Sequence, residues 1–221
     1  MARKKWIIKS ADKEYAKQLA EECNIDPLVA LILLARNCYD PVEIDEFLSD
    51  ELCFSNPFDL PDMDKAVQRI RKAIKEDERI AVCGDYDADG VTASALLYTY
   101  LREKNCNVIC YIPERLEQGY GLHRTTIDYL HENNISLIIT VDNGISAAKE
   151  IKYAKDLKID TVVTDHHLPG AVFPAAEAVV DPHLPDCACY FKVKNLLRLG
   201  LVLLLFPERV MRLHVQASDL R

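Results

Sequence analysis

Residues 80–90 read Ile80-Ala81-Val82-Cys83-Gly84-Asp85-Tyr86-Asp87-Ala88-Asp89-Gly90, and this stretch decides the fold. A β-branched apolar run of strand length ends at a glycine. An acid-rich turn closes on a second glycine, and residues 92–103 then repeat apolar side chains at helical spacing. Working outward, the same alternation recurs. Strand-like runs fall at 80–83, 108–112, 137–141 and 161–164, and helical runs at 92–103, 125–133 and 147–157. Strand, helix and strand at these intervals are βαβ units, so the expected fold is α/β, Rossmann-like, with a parallel sheet covered by helices on both faces. Strands that read as continuous apolar runs suit a sheet buried on both sides.

Upstream the pattern is helical. Asp26-Pro27 and Asp40-Pro41 each place a capping acid before a proline at the first helical position, ahead of helices over 28–35 and 42–48. After Pro61-Asp62, the residues Met63, Ala66, Val67, Ile70, Ala73 and Ile74 mark one apolar helix face. The organisation read from this is a helical segment over 1–75, an α/β domain over 76–192 and an atypical tail over 193–221.

With 221 residues, 49% of them hydrophobic and only 7 Gly, the chain is a globular one with ample apolar material for a core. The 35 acids against 27 bases leave a net charge of −8, which argues against holding nucleic acid by bulk attraction. Eight irregularly spaced cysteines and an N-terminus whose Trp6-Ile7-Ile8 is too short for a secretory h-region point to reduced thiols and a cytoplasmic protein. Cys187 and Cys189, one residue apart with no second pair nearby, make a poor zinc knuckle. The longest apolar run, 196–206, is broken by Arg198 and Gly200 and falls short of a membrane span.

In a parallel sheet, ligands bind beyond the carboxyl ends of the strands. There the sequence places Asp85, Asp87 and Asp89, then Asp142-Asn143-Gly144, then Asp165-His166-His167. Each alone reads equally well as a turn or helix cap. Together, these five aspartates and two histidines on one edge would repel one another unless a cation intervened. Carboxylate oxygen with imidazole suits manganese or magnesium, and a bridging carboxylate would allow two ions. Asp85, Asp87, Asp89 and Gly90 also match the start of a calcium loop, but Leu96 at the twelfth position and a preceding strand count against it. Aspartates two apart in extended backbone face one way, so Asp87 and Asp89 are expected to reach one site, with Asp85 behind.

Three ordered motifs, Val82 through Thr92, Ile139 through Ile145 and Thr164-Asp165-His166-His167, resemble the DHH phosphoesterase superfamily and, within it, the RecJ single-strand-specific exonucleases. The segments 62–67 and 112–122 strengthen the likeness to the exonucleases, which runs from about Trp6 to about Asp181. The resemblance implies an enzyme that hydrolyses phosphodiesters of single-stranded DNA from the 5′ end, with manganese or magnesium as cofactor, in DNA repair and recombination. It implies Asp87, Asp89, Asp142 and His166 as metal ligands, and His167, Asp165 and Asp85 as the residues closest to catalysis. Arg115 would meet a substrate phosphate through its guanidinium fork, or be a solvated loop arginine. Tyr120 would stack on a base or pack between Gly119 and Gly121, and Asn143 is grouped with them on the substrate side. Cys83 stands where many superfamily members carry a histidine ligand; a buried strand-end thiol is its other reading.

Cys189-Tyr190-Phe191-Lys192 begins the family's further course, but 193–221 departs from it, with a leucine-rich run and a basic tail. The expectation is a truncated or frame-altered tail and an incomplete active site. Two other functions fit the motifs: a phosphoesterase of short oligonucleotides or cyclic dinucleotides, and an inactive metal-binding fragment. Oligomeric state is not legible in the sequence.

Overall fold

Aspartates punctuate the N-terminal third of the computed structural model, which describes residues 12–49, 57–113, 121–185 and 187. Asp12, Asp26 and Asp40 cap helices α1 (Lys13–Glu22), α2 (Pro27–Ala35) and α3 (Pro41–Leu48), each carboxylate accepting from a backbone N–H of the first turn. Leu19, Ala30, Leu33, Leu34 and Ile44 are buried within this unit. The last two helices match the sequence reading, whereas α1, whose apolar face is narrow, was not anticipated.

The chain divides into two compact units, Met1–Phe54 and Ser55–Arg221. The second holds α4 (Met63–Lys75), β1 (Ile80–Gly84), α5 (Ala88–Glu103), β2 (Val108–Tyr111), α6 (Arg124–Glu132), β3 (Leu137–Val141), α7 (Ala148–Asp156), β4 (Asp160–Thr164) and β5 (Ala178–Val180). The boundary expected near residue 75 therefore moves upstream. The reason is α4: its face of Met63, Ala66, Val67, Ile70 and Ala73 is buried with Val82, Leu97 and Leu101 in the core of the α/β unit.

The five strands are all parallel and run in the order β2-β1-β3-β4-β5. Alternate strand residues feed two cores. Ile80, Val82, Leu137, Ile139, Val162 and Val180 meet α4 and α5, while Ala81, Cys83, Ile138, Val163 and Val179 meet α6 and α7. Helices thus cover both faces, as the apolar strands required. The strand order reverses between β1 and β3, and the crevice at their carboxyl ends is where such sheets place ligands.

Two findings differ in detail from the sequence reading. Helix α5 starts at Ala88 rather than 92, because Asp87 caps it. A fifth strand, β5, has only three residues, too few for periodicity to reveal. It is held from outside by Asp62, a left-handed residue (φ 54°) before α4, whose carboxylate accepts from Val179 N at 3.2 Å. Arg115, Tyr120 and the 193–221 tail lie outside the described residues. Among the described residues, no helix is long and apolar enough to cross a membrane.

Candidate metal centre

The turn after β1 folds tightly on itself. A side chain at Gly90 would lie within 2.8 Å of the Asp85 backbone, so that position requires glycine, and one at Gly84 would displace the Ser94 hydroxyl and press to 3.0 Å from Gly90 O. Asp87 is extended (φ −79°, ψ 175°), and its Oδ1 accepts from Asp89 N and Gly90 N, both at 2.9 Å. Asp85 is buried ahead of it.

The turn after β3 carries strain. Asp142 is left-handed (φ 62°), a conformation a non-glycine residue adopts at a cost, and Gly144 follows at φ 111° with Thr140 filling the space a side chain would need. Asp142 N donates to Thr164 O at 3.0 Å, tying the turn to the end of β4. Asn143 is buried, and its Nδ2 donates to Cys83 O at 3.1 Å and Val141 O at 3.0 Å.

After β4, Asp165 organises the histidines. Its Oδ1 accepts from His166 N at 2.7 Å and His167 N at 3.1 Å, and lies 2.7 Å from His167 Nδ1; its Oδ2 accepts from Ile145 N at 2.9 Å. Burial pushes this carboxyl upward, but the hydrogen bonds from His167 and Ile145 outweigh it and hold Asp165 below its ordinary range. His166 Nε2 stands 3.2 Å from Asp142 Oδ1, and the two imidazole rings are 4.5 Å apart.

These turns bring two sets of potential ligand atoms together. Asp142, Asp165, His166 and His167 form one group and Asp85, Asp87 and Asp142 the other, with the atoms of each within 4.8 Å of one another. Asp142 belongs to both. Three of these carboxylates, on Asp85, Asp142 and Asp165, are at most 4% exposed, a costly burial that a divalent cation would offset. The donor set, hard oxygens with imidazole nitrogens and no thiolate, fits manganese or magnesium.

The expected ligands Asp87, Asp142 and His166 fall in these groups, as do Asp165 and His167. Asp89 does not. The extended alternation that was to aim it at the site stops at Asp87, and Asp89 stands in the first turn of α5. Asp85, expected behind the site, has a carboxylate oxygen within the second group. Cys83 is buried among Leu122, Ile127 and Ile138, and burial pushes its thiol far up, so it is a core thiol at this strand end. One neighbour escaped the sequence reading. Asp181 is fully buried beyond β5, its Oδ1 accepting from His183 N at 2.7 Å. Burial raises its carboxyl to about 7, with the Asp165 charge adding to the effect. An acid immediately after a β-branched run, as at Asp85 and Asp142, was the available signal.

Known proteins resemble this chain in sequence and in fold. The chain is 39% identical over 193 residues to the single-stranded-DNA-specific exonuclease RecJ of Bacillus subtilis, covering 86% of this chain and 24% of the relative. It is likewise 39% identical over 177 residues to the RecJ of Escherichia coli, covering 80% of this chain and 30% of that one. The chain thus spans between about a quarter and a third of these relatives. A RecJ structure bound to manganese superposes with TM-score 0.59 at 36% identity, over 66% of this chain and 36% of that one. RecJ from Thermus thermophilus in complex with Mn2+ gives 0.61 at 26% identity, over 89% and 27%. Residues 79–200, more than half of the chain, match the DHH family N-terminal domain, and the chain belongs to the DHH family.

Proposed function

We propose that this chain carries the hydrolytic centre of a single-stranded-DNA-specific exonuclease, a metal-dependent phosphodiesterase that shortens a strand from its 5′ end. The observation that carries the reading is Asp142, shared by two groups of ligand atoms at the carboxyl edge of β1, β3 and β4. Asp85, Asp87, Asp142, His166 and His167 would hold manganese or magnesium, one ion for each group. Bound there, the cations would lower the pKa of a water and offset charge on the phosphoryl oxygens.

The protein's own groups prepare the rest. An ionised Asp165 selects the His167 tautomer with its proton on Nδ1, which leaves Nε2 as the ring's lone-pair nitrogen. Asp142, held left-handed and bonded to β4, is fixed in place before any ligand arrives. Arg115 and Tyr120 would meet a substrate phosphate and base. DNA repair and recombination in the cytoplasm is the corresponding setting. A net charge of −8 suits the chain poorly to gripping a long strand, so turnover by this chain alone should be weak.

The test is release of label from 5′-labelled single-stranded DNA by the purified chain with manganese, beside Asp142→Ala. Release by the native chain alone supports the reading. Equal release from both contradicts it, and hydrolysis restricted to dinucleotides would favour a phosphoesterase of short oligonucleotides.

A further inference from the structure

The Asp142-Asn143-Gly144-Ile145 turn is bonded to each segment that brings a donor to the metal centre. Asp142 N reaches the end of β4 through Thr164 O, and Ile145 N reaches the Asp165 carboxylate. Asn143 makes the remaining link. Its Nδ2 donates to Cys83 O in β1 and to Val141 O at the end of β3. Backbone pairing of these two strands ends at Gly84 and Val141, and beyond that pair the chain leaves for Asp85 on one side and Asp142 on the other. The amide is a cross-link placed where the ladder stops.

The chemistry of the position is narrow. Among uncharged side chains only a primary amide presents two N–H bonds on one atom, and two carbonyls facing that atom fix which end of the amide is nitrogen. An aspartate of the same shape would aim an oxygen at both. With the residue 1% exposed, water cannot take over either bond. Both donors are therefore spent on the backbone, and neither remains for a substrate phosphate.

We infer that Asn143 is a positioning residue of the metal centre, setting the spacing between the Asp85–Asp87 segment and Asp142, and not the substrate contact expected from its place after β3. The inference rests on the proposed metal centre, and it assigns Asn143 an effect on cation affinity. Outer partners of metal ligands typically change affinity by about 10–100-fold when removed.

The experiment is a Mn2+ titration of the full chain, followed by the electron paramagnetic resonance signal of free Mn2+, for the native protein, Asn143→Asp and Asn143→Ser. Asn143→Asp should bind Mn2+ about 10–100-fold more weakly, and Asn143→Ser, which keeps one donor, should fall between it and the native chain. At saturating Mn2+ the KM for single-stranded DNA should return to the native value. Native Mn2+ affinity in both variants overturns the inference, whether KM rises, as for a substrate contact, or only the metal-free thermal midpoint falls, as for a purely structural bond. If Asn143→Asp does not fold, Asn143→Ser decides. A native chain that binds no Mn2+ removes the metal centre itself, an outcome distinct from a variant that binds as well as the native.

Discussion

The two edges of one sheet use acids in opposite ways. At the amino edge, Asp160 at the start of β4 and Glu78 just before β1 both accept from the Arg69 guanidinium of α4, at 2.7 and 2.6 Å, in a half-buried cluster. At the carboxyl edge, Asp142 stands close to Asp85 and Asp87 on one side and to Asp165 and two imidazoles on the other. The first arrangement is complete as it stands: arginine answers carboxylate, and helix α4 is pinned to the sheet. The second gains by accepting a cation. The residue type is the same at both edges: at the amino edge an arginine answers the acids, and at the carboxyl edge the acids stand with imidazoles in a donor set that suits a divalent cation.

That contrast is broken most severely at Asp142. Asp142→Asn keeps the shape and tolerates the left-handed backbone, yet should lower manganese-dependent hydrolysis by about 10³-fold, the scale of several kcal/mol supplied by a bound metal. The metal-free variant should melt no lower than the native chain, since one repelling carboxylate is gone. Steady-state rates and thermal melts in EDTA check both halves. The mirror experiment is Arg69→Met, which leaves Glu78 and Asp160 without their partner and should cost about 2–3 kcal/mol in urea unfolding while leaving Mn2+ affinity intact.

A smaller effect separates two acids on the carboxyl edge by pH. Asp165 is held low, so its contribution to stability is present above the ordinary carboxylate pKa and is lost as pH falls through its lower folded value. Asp181 is raised to about 7, so the folded state binds its proton more tightly than the unfolded chain, and stability declines as pH rises from about 4 through 7. Asp181→Asn should flatten that decline in the metal-free chain, raising stability at pH 8 by about 1–2 kcal/mol and changing little at pH 4. Melting midpoints across this range are the readout. The smallest effect belongs to the outer strand. Asp62→Ala removes the acceptor for Val179 N and should cost about 1 kcal/mol without touching the metal centre.

What the sequence revealed and what it hid follow from the range of the interactions. Local signals were legible: proline after aspartate at α2 and α3, apolar runs at four strands, and acids after β1, β3 and β4. The apolar face of α4 was legible too, but periodicity does not say which surface a face will cover, so α4 was assigned to the wrong unit. Asp85 joins the clustered ligand atoms and Asp89 does not, for a similar reason. Two residues apart are on one side only while the backbone stays extended, and the Asp87 cap turns the chain into a helix sooner than the apolar pattern shows. The work of Asn143 depends on carbonyls 60 and two residues away, Cys83 O and Val141 O, and no spacing rule reports a bond of that reach.

The central claim is that the carboxyl edge is a divalent-cation site built around Asp142. The measurement that meets it most directly is anomalous scattering from crystals of this chain grown with manganese. The account requires manganese bonded to Asp142, with the Asp85–Asp87 side and the His166–His167 side supplying the other ligands. Manganese found elsewhere, or absent from this edge at saturating concentration, would contradict it.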